Sequence, residues 1–229
     1  MKAILYFFLL FLLFLLANNV LAAGFLFVDD FENPKDFDQK WLMISNWELK
    51  EKKGNHFAEK LDEQGQVDLE IKDLTFTAPF TVQMRLNQVN AEAGAHVAIY
   101  VSRDPFKGYI YGFNATSVIE WNPIDAAKED FKWNVGPDTW VTYKILTEER
   151  SAKCYYKIDG EKDFTLSHDK DDVGIKHKDV FIGLWVGTVV QVDDVYVWEG
   201  VDKSLEDVLA VRPQRKLASF WGTIKNTFP

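Results

Sequence analysis

Two pairs of adjacent carboxylates stand near the two ends of one strand-rich region. Asp29-Asp30 lies in Phe27-Val28-Asp29-Asp30-Phe31, and Asp193-Asp194 in Val192-Asp193-Asp194-Val195-Tyr196-Val197. The chemistry such a set can do is cation binding, because hard divalent ions take carboxylate and carbonyl oxygens. Both segments read as β-strands, the second with Val195 and Val197 on one face. If these first and last strands pair, at least one carboxylate from each faces the same edge. Like charges repel there, and a bridging calcium ion would remove the penalty. Asp29, Asp30, Asp193 and Asp194 are therefore candidate ligands of a structural Ca2+. The alternative is that they cap turns or accept backbone N–H bonds. The run Asp169-Lys170-Asp171-Asp172 reads as a solvated turn, with a metal site as the alternative.

A second constellation suits sugars. Tyr109, Tyr111, Trp121, Trp133 and Trp185 fall in predicted strands or the loop between them. Sugar rings present C–H faces that stack on aromatic rings, while amides and guanidinium groups bond the hydroxyls. Asn114, Asn122, Asn134 and Arg85 are the candidate partners. The competing role for each aromatic residue is core or rim packing.

Catalytic patterns are missing. His56, His96, His168 and His177 show no HxH or HExxH spacing, and no Gly-x-Ser-x-Gly elbow or phosphate-binding glycine loop occurs. Cys154, the only cysteine, sits in the strand pattern Cys-Tyr-Tyr-Lys-Ile. A buried thiol acting as a small hydrophobe is expected there. A secreted domain of this size must then rely on its core rather than on a disulfide.

The elements that must position these groups are strands. Val67–Ile71 and Phe80–Leu86 alternate apolar with polar residues, and Val97–Val101, Tyr109–Phe113, Ser117–Trp121, Trp140–Leu146, Lys153–Ile158, Asp163–Leu166 and Val180–Val186 follow at short spacing. Many short strands between turn residues predict a sandwich or barrel. Residues 1–22 have a different character: Lys2, an apolar run from Ala3 to Ala17, and the small-residue exit Val20-Leu21-Ala22. That is the layout of a secretory signal peptide. An uncleaved membrane anchor is the alternative, although the run is near the short end for a span. Residues 23–200 form the expected domain and 201–229 a helical tail. In that tail Ser204 is placed to cap a turn through Leu205–Leu209. Leu217, Phe220, Trp221, Ile224 and Phe228 then make one amphipathic stripe.

Net charge is −9, and it is uneven. Gly24–Gly200 carries 20 Lys/Arg against 32 Asp/Glu, and the segment from Val201 five against three. An acidic body argues against nucleic acid or anionic lipid as partner. Membrane contact is left only to the C-terminal helix. Asn114-Ala115-Thr116 is a glycosylation sequon, meaningful in a eukaryotic secretory pathway.

Three further segments carry a family resemblance. Asp138-Thr139-Trp140-Val141-Thr142-Tyr143-Lys144-Ile145 is a strand opening on Trp. Lys157-Ile158-Asp159-Gly160-Glu161 ends a strand in an Asp-Gly turn, where Gly tolerates φ > 0. Trp41 and Trp47 flank Met43-Ile44-Ser45-Asn46. With the acidic first and last strands, this pattern from about Phe25 to Gly200 resembles the concanavalin A-like lectin/glucanase superfamily, including laminin-G-like domains. The resemblance implies an all-β, antiparallel jelly-roll sandwich, here with a short C-terminal amphipathic helix. It also implies that a structural calcium ties the first strand to the last, as in several such families. The glucanase branch uses E-x-D-x-x-E or E-x-D-x-E, because a retaining enzyme holds two carboxyls ~5–5.5 Å apart. Neither motif occurs: Asp68 and Glu70 lack a third carboxylate on their face, and Glu120 stands alone. The expected function is non-catalytic binding of extracellular carbohydrate or glycoprotein. A glycan-processing enzyme on the same scaffold, and an adhesion module docking through its tail, are the alternatives.

Overall fold

The computed structural model describes residues 24–43, 47–61, 66–89, 94–113, 117–121, 129–132, 138–187 and 189–210. Of residues 43, 66–68, 113, 117–121, 129–132 and 210 it describes the backbone alone. Among these, fifteen strands form two sheets. The first runs β13 (Thr165–Lys170), β12 (Ala152–Ile158), β11 (Trp140–Thr147), β6 (Phe80–Gln88), β15 (Val190–Glu199), β4 (Asn55–Lys60), β3 (Trp47–Lys52), with β1 (Phe25–Asp29) also pairing with β15. The second runs β10 (Glu129–Lys132), β9 (Ser117–Trp121), β8 (Phe106–Phe113), β7 (Ala95–Arg103), β14 (Phe181–Val186), β5 (Gln66–Ile71), β2 (Trp41–Met43). The registered ladders are antiparallel, as the hairpin-rich sequence predicts.

Residue alternation decides which side of each strand is core. Phe80, Val82, Met84 and Leu86 of β6 and Val141, Tyr143 and Ile145 of β11 point inward from the first sheet. Val97 and Ile99 of β7, Tyr109 and Tyr111 of β8, and Ile182 and Leu184 of β14 meet them from the second. Edge-on packing of Tyr111 against Tyr143, centroids 5.6 Å apart, joins the sheets, and the Tyr111 hydroxyl bonds Ser167 Oγ of β13 at 2.6 Å. Cys154 is a buried thiol in this core, as expected.

β15 keeps its apolar face by a bulge. Asp193 pairs with Arg85 and Tyr196 with Gln83, so one residue is inserted, and Asp194 takes the left-handed conformation at φ 51°. A one-residue shift exchanges the faces of a strand. Val190 and Val192 before the bulge, and Val195 and Val197 after it, are all buried in the same core.

Of the described residues, 26–201 make up one compact unit and 24–25 with 202–210 belong to a second. In the latter, Ser204 and Asp207 cap helix α1 (Leu205–Ala210) reciprocally. Asp207 N–H donates to Ser204 Oγ at 3.1 Å, and Ser204 N–H to Asp207 Oδ2 at 3.0 Å. The proposed signal peptide and the stripe from Leu217 to Phe228 lie outside the described residues.

Candidate functional site

The outer face of the second sheet is built by the residues that alternate with the core. The ladders place Tyr100 opposite Gly108 and Phe181, Ala98 opposite Ile110 and Gly183, and His96 opposite Gly112 and Trp185. Small residues therefore form much of its floor. A Cβ at Gly108 would lie 2.3 Å from Ile99 O, and one at Gly112 2.1 Å from Ala95 O, so both positions require glycine because neighbouring backbone is too close. Large rings fill the space above. Phe106 packs edge-on against Trp185 at 5.1 Å, and Tyr100 lies 5.8 Å from both Phe106 and Phe181. The result is a small apolar cluster separate from the main core: Ala98 and Tyr100 are covered, and Phe106, Ile110, Phe181 and Trp185 are half exposed above them.

A charged group borders these rings. Glu70 of β5 accepts from the Tyr100 hydroxyl and pairs with Arg103 at 2.5 Å. Burial first, then this hydrogen bond, holds the Tyr100 hydroxyl above its ordinary range, so it stays a donor at neutral pH. The Glu70 carboxylate and half-exposed Arg103 are thus held in place, with Arg103 Nε buried and unpartnered. Half-exposed rings beside an oriented acceptor and donor can stack on a sugar face and bond its hydroxyls.

The sequence-predicted ligand residues are distributed differently. Tyr109 and Tyr111 are 0% exposed and point into the main core, so they do not face a ligand. Their aromatic character was legible; their side of the strand follows from the register with Ile99 and Val97. Trp121 of β9 pairs with Ile110, beside the aromatic face, and its side chain lies outside the described residues. Asn114, Asn122, Trp133 and Asn134 also lie outside them. Arg85 is on the outer face of the other sheet, with its guanidinium 4.5 Å above the Trp140 ring and bonded to Asp159 at 2.5 Å. Tyr100, Phe106, Phe181 and Arg103 were not singled out in the sequence. The alternation Val97-Ala98-Ile99-Tyr100, with one side fully apolar, is the signal that places Tyr100 on the opposite face.

Three of the four paired carboxylates, Asp29, Asp193 and Asp194, accept from protein donors. β1 does pair with β15. Asp29, however, accepts from Trp41 Nε1 at 2.6 Å, Lys40 Nζ at 3.1 Å and Phe31 N–H at 3.1 Å. Asp193 accepts from Asn55 Nδ2 at 3.0 Å, Asp194 N–H at 2.8 Å and Arg85 Nη1 at 3.4 Å, and Asp194 from the Tyr196 hydroxyl at 2.9 Å. Burial pushes the Asp193 carboxyl up to about 6. Among the described residues no group of three or more His, Cys, Asp or Glu side chains is arranged to hold a metal. With Lys40 and Arg85 supplying the positive charge, the donor set around Asp29 and Asp193 does not fit calcium. These two residues have the acceptor role that was the alternative for them.

No protein-family model and no curated protein matches the chain. Solved structures do. A xylan β-1,4-xylosidase from Bacillus halodurans C-125 superposes with a TM-score of 0.57 at 13% identity, over 75% of this chain and 39% of that one. The exoplasmic/lumenal domain of VIP36, in its Ca2+/Man3GlcNAc-bound form, gives 0.52 at 7% identity over 78% and 88%. The carbohydrate-binding module CBM66 from Bacillus subtilis gives 0.50 at 12% over 69% and 94%. The chain thus spans well under half of the xylosidase and nearly the whole of the other two. At these identities the shared property is the fold alone: an antiparallel two-sheet sandwich of the jelly-roll kind.

Proposed function

We propose that this is a secreted, non-catalytic carbohydrate-binding domain whose ligand stacks on the outer face of the seven-stranded sheet. The observation that carries the reading is the half-exposed ring cluster of Phe106, Phe181 and Trp185 beside the fixed Glu70–Arg103 pair. The rings take the C–H face of a pyranose, Arg103 donates to its hydroxyls, and Glu70 accepts from them. Two of the structural neighbours, the VIP36 domain and CBM66, are themselves a glycan-bound domain and a carbohydrate-binding module, which supports this choice of ligand class. Secretion rests on residues 1–22.

A glycan array probed with and without calcium tests the proposal. Binding to at least one neutral glycan is expected in both conditions. Trp185→Ala and Arg103→Gln should each weaken it by about tenfold or more, equivalent to ~1.4 kcal/mol, without loss of the folded state. A chain that binds no glycan, or two variants that bind as wild type, would overturn the assignment.

A further inference from the structure

The outer face of the eight-stranded sheet carries a different chemistry at its β11–β13 end. Tyr143 and Ile145 of β11 and Cys154 and Tyr156 of β12 point into the core, so Lys144, Tyr155 and Lys157 point outward. A cross-strand row runs through Gln83 of β6, Lys144 of β11, Tyr155 of β12 and Leu166 of β13, each opposite the next in register. Lys157 lies two residues beyond Tyr155 on the same strand, diagonal to Lys144. Phe164, at the end of the turn that joins β12 to β13, brings its ring to both lysines. Lys144 Nζ is 4.2 Å from its centroid and 5.1 Å from that of Tyr155, and Lys157 Nζ is 4.9 Å from the Phe164 centroid.

Two ammonium groups thus converge on one phenyl ring. A ring face attracts each cation through its quadrupole but does not cancel the charge, and like charges at neighbouring cross-strand positions repel. Two carboxylates of the adjoining turn are engaged elsewhere: Asp159 pairs with Arg85 at 2.5 Å, and Glu161 Oε2 accepts from the Ile158 N–H at 2.9 Å. Lys153, two residues before Tyr155, has Asp169 at 3.1 Å, whereas among the described residues Lys157 has no carboxylate within ion-pair distance. The cluster is open to solvent. Leu166 is 46% exposed, and Lys144, Tyr155, Lys157 and Phe164 are each half-exposed around it.

We infer that Lys144, Lys157, Phe164, Tyr155 and Leu166 form a second binding site, for a sugar that carries a single carboxylate: a uronate within an otherwise neutral chain. The carboxylate lies between the two ammonium groups, each donating one N–H to it, and the C–H face of the pyranose rests on Leu166 and Tyr155. The lysines bring donors only, so the ligand brings the acceptors. A chain with a carboxylate on every ring is disfavoured, because the body around the site is strongly acidic and repels further negative charge. This site does not rest on the aromatic face of the other sheet, and its failure would leave that reading untouched.

The test is calorimetric titration of the protein with cellobiouronate, which has one carboxylate, cellobiose, which has none, and trigalacturonate, which has one on every ring. Cellobiouronate should bind at least about tenfold more tightly than cellobiose, and more tightly than trigalacturonate. Lys144→Gln and Lys157→Gln should each weaken its binding by about threefold to tenfold, with the circular dichroism spectrum unchanged. Lys157→Arg should retain it, and Trp185→Ala should leave it unaffected. An acidic peptide, acetyl-Ala-Glu-Leu-amide, should bind at least about tenfold more weakly. No heat with cellobiouronate, equal affinity for cellobiose or trigalacturonate, or wild-type affinity in both glutamine variants would overturn the site. Equal affinity for the peptide would give the lysines to a protein carboxylate, and loss in Trp185→Ala alone would move the uronate to the other sheet. Either result would overturn the assignment as well.

Discussion

Replacing Asp29 by alanine distinguishes a structural carboxylate from a metal ligand. In the wild-type chain this side chain is 2% exposed and accepts from the Trp41 indole, the Phe31 N–H and Lys40. Trp41 is itself buried, 5.8 Å from Phe31 in a stacked pair and 5.2 Å edge-on from Phe27. Alanine leaves the indole N–H and the Phe31 N–H without their acceptor. Each bond to a buried carboxylate is worth ~1.5–3 kcal/mol, and the partly exposed Lys40 pair at most ~1 kcal/mol. The expected loss is ~3–5 kcal/mol, which for a domain of this size lowers Tm by about 10 °C. Asp29→Asn keeps one strong acceptor and should lose about half as much. Differential scanning calorimetry with millimolar Ca2+ or EDTA supplies the assay. Calcium should move neither the wild-type nor the mutant transition. An Asp29→Ala protein within ~1 kcal/mol of wild type would refute the tethering argument. A wild-type Tm that rises with Ca2+, in a way Asp29→Ala abolishes, would restore the carboxylate to a metal site.

Two further predictions concern stability. Asp193, moved from its ordinary 3.8 to about 6 by burial, contributes stability that is present at low pH and lost as pH rises through about 6. His177, whose pKa burial lowers, acts oppositely in the same window, losing stability as pH falls, so the wild-type profile mixes the two. The difference between wild type and Asp193→Asn cancels His177. It should shift by ~2 kcal/mol in favour of Asn between about pH 4.5 and about pH 7.5, read from urea unfolding, and a flat difference would mean that the carboxyl titrates normally. Gly112→Ala drives a Cβ to 2.1 Å from Ala95 O, a backbone atom that cannot turn away, and should cost ~1–3 kcal/mol or prevent folding. Wild-type stability would show that β7 and β8 separate easily and that the glycine floor is dispensable.

Much of the architecture was legible in the chain because the signals involved are local. Alternation in Phe80–Leu86 and Trp140–Leu146, the Asp-Gly turn at Asp159-Gly160 and the Ser204 cap depend on residues a few positions apart, and each element formed as read. Pairing of β1 with β15 agrees with the matching acidic ends. The single buried cysteine agrees too.

What lay beyond the sequence is whatever depends on which strand comes to lie beside which. Tyr109 and Tyr111 have the same ring chemistry as Tyr100, and only the packing of β8 against β7 and across to β11 and β13 put the first two in the core and the third on an outer face. The donors that satisfy Asp29 and Asp193 come from positions 1 to 138 residues away, a distribution no local pattern encodes. The first sheet sets β4, β15, β6 and β11 side by side, an order that is non-consecutive in the chain. Residue types fixed the strands and their apolar sides, because hydrophobic alternation is a property of one segment. Sites on the faces were decided by tertiary structure, because they are made of side chains that only long-range register brings together.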